Sequence, residues 1–426
     1  MTPRVSGDPR IGERIKVRRQ LRGWSIRYAA SRAGISHATW SRIERGRQAA
    51  DNRFMLADVA AALDCPPDEL TGVPVAAGDR EATAANLGVH AVRQALVDID
   101  LRDPHGEPIG RLGYDGDPSA VGDGPGERDI SREPVLFAEL VRTAELLDTL
   151  RQACDYAGAA RLLPSLLRGL HAATAGPSRA DALRLLCDAA FIASSVLRNL
   201  GRPADAWLGA ERCRDAAEAA EDQVMMGYAA YARATAAAAC GSYHRSLKLA
   251  GRAVDELRGV GAPGAAEVLG SLQLVCATAS RGLHRTQESR AGADEAAALA
   301  GRTGETTVKG LYFGPTNVAI WRVAIEVDGG DPGRAVEIAR TVDPSVLPVS
   351  FRQVFYFADT ARALARVRGQ DRAAIRYLLT AERLAPQHVH TSVTARETAR
   401  ALLERSVRRA GGSELRGLAE RLRISA

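Results

Sequence analysis

The chain has no apolar run approaching the roughly 18 residues that span a bilayer. Its first residues, MTPRVSGDPRIGERIK, lack the apolar core of a secretory leader. A cytoplasmic protein with no membrane association is therefore expected. The six cysteines, Cys65, Cys154, Cys187, Cys213, Cys240 and Cys276, are dispersed and include no CxxC pair. That argues against a zinc site and against a disulfide framework, and leaves small buried thiols in a reducing compartment as the expectation. No GxxxxGKS/T loop, HExxH or GxSxG occurs, so a phosphate-cradling loop, a zinc protease and a serine hydrolase are all unsupported. His388 and His390 form an HVH pair with no further His or Cys near them, and read as surface residues behind Pro386. No catalytic residue, metal or cofactor is expected.

Aromatic residues are scarce too, at 5%, whereas alanine runs and glycine-punctuated amphipathic segments are abundant. This balance favours helices over strands. With 46% apolar and 25% charged residues the chain has the composition of a folded protein, and its 426 residues exceed a single compact core.

Positive charge is concentrated at one end. Residues 1–50 hold twelve Lys/Arg against Asp8, Glu13 and Glu44, a formal +9; the whole chain carries +6, so the remaining 376 residues sum to −3. Such asymmetry points to a polyanion met through the N-terminal region. The same region reads as a run of short helices. Residues 10–22 place Ile11, Ile15 and Leu21 at helical spacing and stop at Gly23. Ser25 can cap a second helix, SIRYAASRA, whose Ile26, Ala29, Ala30 and Ala33 make a small-residue face. Gly34 permits a sharp turn, and Ser36 caps a third helix, HATWSRIER, that ends at Gly46. A fourth spans about 52–63, and Pro66 or Pro67 opens a last turn ending at Leu70. Five short helices with a glycine turn between the second and third describe a helix-turn-helix.

On the strings IGERIKVRRQLRGWS, AASRAGISHATWSRIERG and LADVAAALDCPPDELTG, residues 11–72 resemble the Cro/repressor-type (XRE) DNA-binding family. The resemblance implies that the third helix enters the major groove of double-stranded DNA with its N-terminal half against base edges. Trp40 and Ile43 then face inward, while His37, Ala38, Ser41 and Arg42 face the DNA, with Arg42 suited to guanine and the Ala38 methyl to a thymine methyl. Ser36, Arg45 and Arg47 fall to the phosphates, which set register without reading sequence, and Ser25 is a further candidate DNA contact. Arg19 and Glu44 match positions that pair structurally in the family, which discounts both as DNA contacts. The first position of helix two, where the family usually carries a backbone-touching glutamine, is Ile26 here; Arg27 is its candidate substitute.

VPVAAGDREATAA (73–85) reads as a linker, and NLGVHAVRQALVDI (86–99) as an isolated helix. A Gly-, Pro- and Asp-rich stretch follows without periodicity, and helices resume at about Pro134. From there the chain repeats itself: GRPADAW, GSYHRSL, GLHRTQE, GDPGRAV and GQDRAAI begin at Gly201, Gly241, Gly282, Gly330 and Gly369, with an earlier copy, CDYAGAARLLPSLL, at Cys154. These resemble tetratricopeptide-like hairpins, five to seven of them, in which Ala206, Ser246, Ala250, Ala335 and Ala374 permit close helix approach. FGPTNVAIWRVAIEVDGGD (313–331) and LLTAERLAPQHV (378–389) further resemble segments of actinobacterial regulators that join an XRE domain to such repeats.

The expected fold is all-α. A helix-turn-helix domain (9–73) is followed by a linker (74–130) and an α-solenoid for sensing and dimerisation (131–426). The expected function is sequence-specific transcriptional regulation by a nucleoid-associated homodimer on an inverted-repeat operator, with a small-molecule or peptide signal on the concave face. Tyr312, Asn317, Arg322, Arg352 and Tyr356 are the candidate signal contacts, because Gly314 and Pro315 interrupt a helix in the most aromatic part of the chain. The rival reading is a scaffold whose solenoid recruits a partner protein; a closed pocket argues for the first and an open groove for the second.

Overall fold

The computed structural model describes residues 10–72, 79–101, 133–407 and 413–424, and no strand occurs among them. The first unit comprises α1 (Ile11–Leu21), α2 (Ile26–Arg32), α3 (His37–Glu44), α4 (Arg53–Ala62) and α5 (Pro67–Thr71). Its helix starts follow from side-chain caps. Ser25 Oγ accepts from the Tyr28 amide at 3.1 Å, Ser36 Oγ from Thr39 at 3.0 Å and Asn52 Oδ1 from Met55 at 2.9 Å. Ile11, Ile15, Ala29, Ala30, Trp40, Ile43, Val59, Leu63 and Leu70 meet in one small core. At Gly12 the backbones of α1 and α3 nearly touch, since a Cβ there would sit 2.1 Å from the Ile43 carbonyl oxygen.

The second unit begins earlier than the composition suggests. Within the expected linker lie α6 (Arg80–Leu87) and α7 (Val89–Val97), while residues 73–78 and 102–130 fall outside the described residues. The expected isolated helix is not isolated. Val89, Val92, Leu96 and Ile99 are buried in the same core as the repeats, and Arg93 donates to both carboxylate oxygens of Asp205 at 2.7 Å. An apolar stripe of that width needs a partner surface, and the repeats provide it.

Six hairpins follow: α8 (Glu133–Gln152) with α9 (Tyr156–Ala173), α10 (Arg179–Asn199) with α11 (Pro203–Ala219), and α12 (Gln223–Ala239) with α13 (Tyr243–Leu257). The others are α14 (Ala265–Gly282) with α15 (Thr286–Thr303), α16 (Pro315–Asp328) with α17 (Pro332–Ala339), and α18 (Ser350–Leu364) with α19 (Asp371–Leu384). Each second helix starts two residues after one residue with positive φ: Cys154, Gly201, Gly241, His284, Gly330 and Gly369. The repeating unit is thus a left-handed turn position, which glycine favours. In the fourth hairpin His284 (φ 61°) holds it, so Gly282 is out of register with the other turn glycines. Ala206, Ser246, Ala250, Ala335 and Ala374 are all fully buried, as close helix packing requires.

The C-terminal helices α20 (Pro386–Thr391), α21 (Val393–Val407) and α22 (Ser413–Arg421) close the stack. Here the reading of His388 and His390 is corrected, because both are buried. The Tyr156 hydroxyl lies 2.7 Å from His388 Nδ1, and His390 bridges Asp79 (2.9 Å) and Glu382 (3.2 Å). The Ala157 amide donates to Gln387 Oε1 at 2.9 Å. Through these bonds the end of the sixth hairpin returns to α6 and the first, and the solenoid curls on itself. Cys154, Cys187 and Cys213 are buried and the other three cysteines half-buried, all as free thiols.

Candidate DNA interface and interdomain cavity

Three hydrogen bonds to one carboxylate fix α3. Glu44 Oε1 accepts from Arg19 Nε at 2.6 Å and from Trp40 Nε1 at 2.7 Å, and its Oε2 accepts from Arg19 Nη2 at 3.0 Å. Arg19 also donates to the Trp24 carbonyl at 2.6 Å. The side chain of Glu44 is 4% exposed, so this ion pair is structural and unavailable to DNA.

The opposite face of α3 is open. Ser25, Arg27, Ser36, His37, Ala38, Arg42, Arg45 and Arg47 are exposed and Ser41 is half-buried. Ser25 and Ser36 spend their oxygens on caps, Arg42 Nε donates to Gln48 Oε1 at 3.0 Å, and Arg45 Nε donates to the Ser41 carbonyl at 3.0 Å. Ile26 is half-buried against the small core. Much of the N-terminal charge is matched internally: Arg10 pairs with Glu404, Arg18 with Glu69, Arg19 with Glu44 and Arg22 with Asp64. Arg27, Arg32, Arg42, Arg45 and Arg47 have no carboxylate partner among the described residues, and all lie on or beside α2 and α3. With the exposed Lys16 on α1 the other unmatched cation of this unit, most of its net positive field belongs to that face. Sequence reading passed over Arg32 and the half-exposed Tyr28 on α2; Arg32 stacks 6.0 Å from the Trp24 ring.

The reverse side of this unit docks on the solenoid. Phe54 packs edge-on against Tyr243 at 5.3 Å, with Ala57 and Ala279 beside them. Around this contact runs a charged network. Asp328 accepts from the Arg53 amide (3.1 Å), Arg53 Nε (2.7 Å) and both terminal nitrogens of Arg362, and the Asp328 carbonyl accepts from Asn52 Nδ2 at 2.7 Å. Arg362 also donates to Asp359 (2.7 Å) and to the Asp51 carbonyl (2.8 Å), while Arg366 donates to the Asp51 carboxylate at 2.6 Å. Although fully buried, Asp328 is held well below the usual carboxylate range by the guanidiniums of Arg362 and Arg53. None of this was legible in the sequence, since Asp51 and Arg53 lie some 275 or more residues from their partners.

Between the docked unit and the curled solenoid lies a cavity of about 400 Å³, walled by Arg53, Phe54, Ala57 and Pro67 on one side. Phe191, Arg198, Tyr231, Trp321, Phe351, Arg352 and Phe355 are among its solenoid walls. Of the candidate signal contacts, Arg352 lines it, whereas Tyr312, Asn317, Arg322 and Tyr356 do not. Those four are engaged within the fold or buried in it. Asn317 Nδ2 donates to the Leu311 carbonyl at 3.2 Å, Arg322 pairs with Asp294 at 2.5 Å, the Tyr356 hydroxyl donates to the Ala339 carbonyl at 3.0 Å, and Tyr312 is 6% exposed. Burial lowers the Arg352 guanidinium to about 10, opposed by Tyr231 and aided by the charges of Arg151 and Arg198.

The profile of a helix-turn-helix domain matches residues 10–71, so α1–α5 are a helix-turn-helix domain. Among solved structures, PlcR of Bacillus thuringiensis in complex with the peptide PapR7 and DNA aligns at 16% identity. The alignment covers 70% of this chain and 96% of that one, with a TM-score of 0.30. No curated protein matches the sequence. The chain is thus an all-α protein with an N-terminal helix-turn-helix domain and a C-terminal helical-repeat region. No helix among the described residues is long and apolar enough to cross a membrane.

Proposed function

We propose that this protein is a sequence-specific, non-enzymatic transcriptional regulator of the XRE type. Its helix-turn-helix unit (residues 9–73) reads a double-stranded operator, and its helical-repeat unit, which we extend back to α6, responds to a signal. The carrying observation is that Arg27, Arg32, Arg42, Arg45 and Arg47, without carboxylate partners among the described residues, cluster on the α2–α3 face, while the opposite side is occupied by docking. In this reading α3 lies in the major groove with Arg42, His37, Ala38 and Ser41 towards base edges. Ser25, Arg27, Ser36, Arg45 and Arg47 meet phosphates. A cavity of about 400 Å³ with chiefly apolar walls, shared by the two units, favours a signal-responsive regulator over a scaffold. A lone unit of this kind covers one half-site, which motivates a homodimer on an inverted repeat.

Binding to a library of single-base operator variants tests the assignment. Arg42→Ala should cost about 1–3 kcal/mol at the cognate site and relax preference at one base pair. Arg47→Ala should weaken all sequences alike and reduce the salt slope by about one unit. Indistinguishable behaviour of the two variants would refute the groove assignment, and a monomer by light scattering of the full chain would refute the dimer.

A further inference from the structure

We propose that the interdomain cavity binds a hydrophobic organic anion, whose charged group is received by Arg198 and Arg352 and whose apolar body lies among Phe191, Trp321 and Phe355. This deepens the reading of a signal-responsive regulator and rests on it for its biological meaning.

The argument begins with unmatched charge. Arg352 is 6% exposed and has no carboxylate partner among the described residues. One of its terminal nitrogens donates to the Leu311 carbonyl at 2.9 Å, its guanidinium lies 4.2 Å from the Phe351 ring centre, and its buried Nε has no hydrogen-bond partner. The half-buried side chain of Arg198, on α10, makes no hydrogen bond or ion pair among the described residues, yet it lines the same cavity. The other wall charges are mostly matched. Arg53 is paired with Asp328 and Asp359, and Arg151 with Asp148 at 2.7 Å; Asp68, half-buried on α5, is the one unpaired wall acid. Among the described residues, two guanidiniums without a carboxylate partner thus stand against one unpaired wall carboxylate.

A buried cation without a counter-ion is costly, and a protein retains it where a ligand supplies the missing charge. A planar guanidinium fork suits a carboxylate, sulfonate or phosphate oxygen pair. The remaining walls are chiefly aromatic and aliphatic, including Ile320 and Val275, so a purely ionic solute would leave them poorly used. A volume of about 400 Å³ is that of a small-molecule pocket. Because Phe54, Ala57 and Pro67 of the DNA-binding unit form part of the wall, an occupant touches both units. Its binding is therefore linked to how the helix-turn-helix domain is held.

The test uses the full-length protein without DNA and a matched pair of fluorescent probes. These are 8-anilino-1-naphthalenesulfonate and N-phenyl-1-naphthylamine, which has the same rings without the sulfonate. The expected result is saturable sulfonate binding that Arg198→Gln weakens about tenfold or more, with the neutral probe changed by less than about twofold. The Arg198 side chain has no hydrogen bond to lose among the described residues, so this variant should fold; Arg352→Gln should give the same loss, and Arg252→Gln, on an exposed α13 pair, should give none. Absence of saturable sulfonate binding would overturn the proposal. So would an Arg198→Gln effect under about twofold, equal losses for both probes, or an equal loss in Arg252→Gln. None of these readouts involves DNA, so failure here is separable from failure of the operator-binding test.

Discussion

Replacing Arg362 by methionine removes the centre of the junction between the two units while keeping most of the side-chain volume. Arg362 is 1% exposed and bridges Asp328, Asp359 and the Asp51 carbonyl, so its loss leaves two carboxylates that are 4% and 7% exposed with Arg53 as their remaining partner. Breaking a buried pair from one side costs about 3–5 kcal/mol. Arg53 approaches the same carboxylates from the rim, with its side chain 42% exposed, and solvent screening limits Arg53→Met to about 1 kcal/mol. The two substitutions should not add. Once Arg362 is gone, Arg53 is the remaining cation on Asp328, and its removal from that background should cost more than from the wild type. Native-state hydrogen exchange of the first turn of α4 is the local assay, because the Arg53 amide donates directly to Asp328. Opening there should accelerate roughly a hundred- to a thousandfold in Arg362→Met and under about tenfold in Arg53→Met. Equal effects of the two single variants, strict additivity in the double, or an Arg362→Met cost below about 1 kcal/mol would refute this account of the junction.

The two buried histidines should give the stability profile a maximum near pH 6.5, read from chemical denaturation across pH. His388, lowered to about 4 by burial, is neutral in the fold, so its contribution is present above about 6.5 and lost as pH falls towards 4. His390 is raised to about 9 despite its burial by the hydrogen bonds to Asp79 and Glu382, so its contribution is present below about 6.5 and lost as pH rises through 9. His390→Gln should flatten the alkaline limb alone, and a persisting limb would count against the assignment. Gly12→Ala should lower the melting temperature by overpacking α1 against the Ile43 carbonyl, at about 1–3 kcal/mol; a neutral effect would contradict the close approach. Asn317→Ala should cost about 1 kcal/mol in thermal melts, since it loses one hydrogen bond to a Leu311 carbonyl that Arg352 still satisfies. A stability-neutral Asn317→Ala with altered ligand binding would instead return this residue to the signal site.

Local rules were enough for much of the chain. Ser25, Ser36, Gly34 and the periodic apolar residues set the five short helices, because caps, left-handed turns and helical spacing act over a few residues. The hairpin recurrence was legible for the same reason, although it was counted on glycines when the conserved feature of the turn is a backbone conformation that Cys154 and His284 also adopt. Composition misled where polarity and smallness stood in for structure. Residues 73–85 look like linker and 86–99 like an isolated helix until the apolar stripe of α7 finds the surface of α9 and α11, and the HVH pair looks solvent-facing until α20 folds back on α6 and the first hairpin. The junction and the cavity were decided only in three dimensions. Asp51 and Arg53 meet Asp328, Asp359 and Arg362 across most of the chain, and Arg198 and Arg352 come to share one cavity from different hairpins. No local spacing encodes such encounters, because which helix faces meet depends on the summed curvature of six packed hairpins.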